Sequence, residues 1–138
     1  MSSCIEKLWV DFHRWPKSWE GLPEDVPYGE GLIEIYKPFV EELLSHYSKS
    51  TVNRHLNILW LLGGELIRKI NMNPVLRKKA PIDLLLENVD ETGGPYCRHL
   101  DSEEQMRAYE ATCRKLYQFL LARKPSETRG DDSIRVSY

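Results

Sequence analysis

The chain has 138 residues, 41% hydrophobic and 29% charged, with a formal net charge of −2 at pH 7. This supports one hydrophobic core, and one domain is the natural count. A near-neutral balance excludes a global electrostatic pull towards nucleic acid or membrane, so any contact with a polyanion must be local.

The first segment, through about residue 30, combines Trp9, Phe12, Trp15 and Trp19 with Pro16, Pro23 and Pro27. One short turn of helix is expected, then an irregular aromatic arm, because the prolines beyond Trp15 interrupt regular structure. Laying that arm across a helical body is the cheapest way to take its indoles out of water. From Gly31 the pattern turns helical, with Leu32, Ile35, Tyr36, Phe39, Val40, Leu43 and Leu44 at intervals of three and four. Pro38 should kink this helix or restart it.

A second helix follows in "STVNRHLNILWLLGGELIRKI", with Ser48 or Ser50 as its cap. Its middle, around Ile58, Leu61, Leu62 and Leu66, is apolar nearly all round, which predicts a central helix packed on several sides. Gly63 and Gly64 each cost about 1 kcal/mol in a helix interior relative to alanine, so close approach of a neighbouring helix, or a bend, is expected there. Asn71, Asn73 and Pro74 end the helix, a basic connector leads to a short helix from about Pro81, and "DETGGPYCRHLD" reads as a loop. The last helix opens on Ser102 and Gln105, a capping-box pair, and should bury Met106, Tyr109, Cys113, Leu116 or Tyr117, and Leu120. Residues 125–138, with Pro125 at their head and a chance RGD triplet, are expected to be a polar, mobile tail.

Charge is distributed unevenly along this order. Residues 48–80 carry seven Lys/Arg and one Asp/Glu, while residues 1–47 carry four and nine. Within that basic island Ser50, Arg54, Asn57, Gly64 and Arg68 fall along one line of the second helix, with Lys49 and Asn53 beside its start. Arg107, Arg114 and Gln118 do the same on the last helix, with Lys115 adjacent. A helix start bearing hydroxyls, with arginine one turn on, suits phosphate, and its asparagines suit adenine edges. The competing expectation is an ordinary solvated face paired to the acidic first helix.

The stretch "SKSTVNRHLNILWLLGGELI", in which Ser48 and Thr51 form a Ser-x-x-Thr, resembles the second helix of the core-binding, SAM-like domain of tyrosine recombinases and phage integrases. "LIEIYKPFVEELL", "APIDLLLENV" and "EEQMRAYEATCRKLYQFL" are similar to that family's first, third and fourth helices, so the resemblance runs over about residues 31–124. It implies an all-α, SAM-like bundle of four to five helices with the aromatic, proline-containing arm packed on it. It also implies a DNA-clamping module lacking the recombinase's catalytic domain. DNA contacts carry over to Lys49, Thr51, Arg54, Arg107 and Arg114, and the residue pattern adds Asn57 and Arg68.

The rival expectation is a protein-interaction or self-association module, working through the aromatic arm or an apolar helix face. The histidines His13, His46, His55 and His99 lack metal-binding spacing, and Cys97 with His99 would supply only two ligands, so no metal, cofactor or catalytic residue is expected. Three cysteines without a CxxC, no apolar leader and no membrane-length run suggest a cytoplasmic protein with free thiols and no membrane partner.

Overall fold

The computed structural model describes residues 11–97 and 99–128. The fold is all-α: α1 (Trp15–Ser18), α2 (Asp25–His46), α3 (Lys49–Met72), a 3-10 turn (Pro74–Lys78), α4 (Pro81–Asn88) and α5 (Glu103–Thr128). Among the described residues there is no strand, only an isolated bridge between Asp90 and Gly93, and no helix long and apolar enough to cross a membrane.

Helix α2 begins six residues before the expected start at Gly31. Pro27 is its third residue, where a missing N–H is harmless because the first four amides of a helix have no internal acceptor. Further in, Pro38 neither divides nor restarts the helix. Tyr28, Leu32, Ile33, Tyr36, Phe39, Val40 and Leu43 form its buried face.

Helix α3 starts at Ser48, whose hydroxyl accepts the Thr51 N–H at 3.3 Å. Its buried face is Val52, Leu56, Leu59, Leu62, Leu66, Ile67 and Ile70, tied to α2 by the Tyr36 hydroxyl donating to the Leu59 carbonyl at 3.1 Å. The helix is central but not enclosed. Trp60 stays 40% exposed and Ile58 and Leu61 are half-buried, because that side faces clefts rather than another helix.

The glycine pair has a partner other than the one expected. A Cβ on Gly63 would lie 2.2 Å from Cζ2 of Trp19, so it is the indole of the N-terminal arm, not a helix backbone, that occupies the notch. Trp19 also donates from Nε1 to the Trp60 carbonyl at 3.0 Å, while the Trp60 indole donates to Ser18 Oγ at 2.9 Å. Phe12, Trp15 and Tyr36 extend the contact, with Phe12 and Trp15 edge-on at 4.6 Å. The arm is therefore docked, as expected for Trp19; Trp9 lies outside the described residues.

A buried polar knot fixes the arm's far end. Asp25 is fully buried and accepts from the Gly21 and Leu22 amides (2.9 and 2.8 Å), from Asn71 (3.0 Å) and from Arg77 (3.0 Å). Burial pushes its carboxyl pKa up, but these four donors outweigh burial and hold it below the ordinary value.

Helix α5 is capped as expected by Ser102, whose Oγ accepts the Gln105 amide at 3.1 Å, while Gln105 reaches back to the Asp101 amide at 2.9 Å. It buries Tyr109, Thr112, Cys113, Leu116 and Leu120, but Met106 is 44% exposed, since the first turn projects beyond the core. The helix also passes Pro125 and ends at Thr128, where the expected tail was to have begun. Pro125 has no N–H for the Leu121 carbonyl, so the helix loses one bond there, confined to its last turn. The rest of that tail, including the RGD triplet and Tyr138, lies outside the described residues.

Candidate functional site

The exposed side of α3 begins at the capped end. Lys49, Ser50, Asn53, Arg54 and Asn57 are all exposed, and residues 48–64 contain no Asp or Glu. Arg54 donates from Nη2 to Thr51 Oγ1 at 3.3 Å and forms no ion pair among the described residues.

Alongside this row, α3 and α5 leave a groove of about 600 Å³. Its floor is apolar, with Ile58 and Leu61 from α3 facing Ala108 and Ala111 from α5; Thr51, Arg54 and Asn57 stand on one rim, Gln105 and Glu104 on the other. His55 closes the seam, with Nδ1 2.7 Å from Thr112 Oγ1. Burial, then Lys115, then Arg54 lower the pKa of this imidazole, so one cation from each helix acts on the same ring. Lys115 is itself held in place: its Nζ donates to the Tyr47 hydroxyl at 3.2 Å and lies 5.2 Å from the centre of that ring.

The seven residues expected from sequence are thus divided. Thr51, Arg54 and Asn57 meet on one rim, and Lys49 is in the same helix's first turn. Arg114 is half-buried on α5, next to Lys115 and outside the groove lining. Arg68 belongs to a different cleft and pairs with Glu65 at 3.5 Å; Arg107 pairs with Glu103 at 3.3 Å. The latter pair is 74% and 86% exposed, so it is weak and open to exchange.

Much of the remaining basic island is engaged by other elements. Arg77 pairs with Asp25, from the acidic first third, Lys79 pairs with Glu87 at 2.9 Å, and Lys69 donates to Asn88 at 2.6 Å. The excess of cations along residues 66–80 is thus largely a set of clamps between helices. The opening turns of α3 remain an exposed basic surface. Lys115, noted from sequence only as adjacent, lies outside the groove lining, at the Tyr47 ring and on the same side of His55 as Thr112. Its signal was visible, since it lies one turn from Thr112 and Ala111, but the pairing of α3 with α5 was needed to give it meaning.

Among the described residues no cluster of His, Cys, Asp and Glu could hold a metal ion. Cys97 and Cys113 are both buried, and burial pushes the Cys113 thiol pKa up to about 12. No protein-family model, curated protein or solved structure matches the chain.

Proposed function

We propose that this chain is a non-catalytic DNA-binding helical module, gripping the phosphate backbone with the first two turns of α3 and Lys115 of α5. The resemblance to recombinase core-binding domains, with its SAM-like bundle, leads in the same direction. What carries the reading is the exposed row Ser50, Asn53, Arg54 and Asn57, set in residues 48–64, a stretch without Asp or Glu, with Arg54 forming no ion pair among the described residues. Arg54 offers a planar fork to a phosphate, Lys115 a point charge, and Asn53 and Asn57 amides for base edges.

The seat is small. Arg54 and Lys115 together neutralise about two phosphates, which gives a slope of roughly −2 in log K against log salt, against about −10 for strong binders. Affinity is therefore modest and measurable only at low ionic strength. Fluorescence anisotropy with a labelled duplex should show binding that Arg54→Ala with Lys115→Ala removes and that Arg68→Ala with Arg107→Ala leaves nearly intact. Absence of duplex binding at low salt, or equal losses in both double variants, overturns the assignment.

The apolar floor of the groove favours a second reading, in which a partner protein or a second copy lays an amphipathic helix between α3 and α5. Ala111→Trp separates the two: filling the floor abolishes helix docking and leaves phosphate contacts on the rim.

A further inference from the structure

A second cleft, of about 350 Å³, opens between α1 and the C-terminal half of α3. Its polar lining includes Glu65, the only acid on α3, whose side chain is 5% exposed. A carboxylate withdrawn from water to that degree needs strong compensation. The contact recorded for it is with Arg68 at 3.5 Å, longer than a good charge-assisted hydrogen bond. Arg68 is 41% exposed, so its guanidinium has freedom to swing. Apolar surface from Trp60, Leu61, Ile67 and Met72 lines the same cleft. The Trp60 ring is pre-positioned: its Nε1 donates to Ser18 Oγ, and that hydroxyl donates to the Trp15 carbonyl at 2.6 Å.

Buried negative charge, a mobile positive charge one helical turn away and a fixed indole wall match a small zwitterion with an apolar body. We propose that this cleft binds a free α-amino acid with an apolar side chain, its ammonium on Glu65, its carboxylate on Arg68 and its side chain against Trp60. Entry of the ligand separates the long Glu65–Arg68 pair and replaces it with two shorter ones, so neither charge is left alone. A simple amine or a simple carboxylate leaves one of the two protein charges uncompensated and binds less well. The site shares Leu61 and His99 with the α3–α5 groove but uses none of that groove's cations, and it does not rest on the DNA reading.

The test is an NMR titration of the full chain with L-leucine and L-phenylalanine, following the Trp60 indole N–H, with 3-methylbutylamine and 4-methylpentanoate as the two half-ligands. Saturable shifts are expected with at least one amino acid, at an affinity about tenfold or more above either half-ligand. Glu65→Gln and Arg68→Met should each lower it by a similar factor. Arg68→Met is a half-exposed substitution that leaves the core intact, so it remains decisive if Glu65→Gln disturbs folding. Failure of both amino acids to produce a saturable shift, half-ligands that bind as tightly as the whole, or Arg68→Met without effect overturns the proposal.

Discussion

Substituting alanine for Gly63 should destabilise the protein, whereas the same change at Gly64, the next residue, should not. In an ordinary helix interior either substitution gains about 1 kcal/mol. At Gly63, however, the added carbon meets Trp19 at 2.2 Å (Cζ2), 2.4 Å (Cη2) and 2.9 Å (Cε2), within the body of a rigid ring. At Gly64 the nearest atom of the same ring is 3.4 Å away, which is ordinary contact. If the indole leaves the notch entirely, about 200 Å² of apolar surface is exposed at about 25 cal/mol/Å², an upper bound of about 5 kcal/mol. A strained ring that stays costs about 1–3 kcal/mol.

After the helix gain is subtracted, Gly63→Ala should lose up to about 4 kcal/mol, and Gly64→Ala should change stability by between zero and a gain of about 1 kcal/mol. Urea unfolding of both variants measures this, and a Trp19→Ala background completes the cycle, because without the ring Gly63→Ala should become neutral or stabilising. A Gly63→Ala protein that shows the full gain of about 1 kcal/mol expected of alanine in a helix interior, or one whose loss persists when Trp19 is gone, would refute the notch.

Asp25→Asn leaves Arg77 largely buried without its counter-charge, and a loss of about 3 kcal/mol is expected in chemical denaturation. Because the folded carboxyl pKa lies below its unfolded value near 3.9, the Asp25 contribution is complete above that pH and disappears as pH falls through the folded value. Parent and Asp25→Asn should therefore converge in stability in strong acid. His55 should titrate below 6.5 in an NMR pH series, and Lys115→Met or Arg54→Ala should each move it upward. Stability linked to His55 falls as pH drops from its unfolded value towards its folded one. Cys113 should resist a thiol reagent at pH 8 in the native state and react once the chain is unfolded, since its thiol is buried and raised to about 12.

The helices were legible where one rule governed each boundary. Ser48 and Ser102 announced two starts, and Pro81 began α4 as a first-turn proline. Pro27 misled because the rule that proline breaks helices depends on position and this one stands in the first turn, and α5 runs three residues past Pro125. The candidate site was half legible. Its α3 rim could be read from periodicity, but whether a cation faces solvent or a carboxylate is decided by tertiary pairing. Arg77 meeting Asp25, fifty-two residues away, leaves no local trace. The role of Gly63 was similarly hidden, because a notch and a bend carry the same two letters.

The most direct measurement of the central claim is the salt dependence of duplex affinity. A log–log slope near −2 for the parent should fall close to zero when Arg54 and Lys115 are replaced together. A slope that the double replacement leaves unchanged, or no affinity to measure at low salt, would contradict a phosphate seat on α3 and α5.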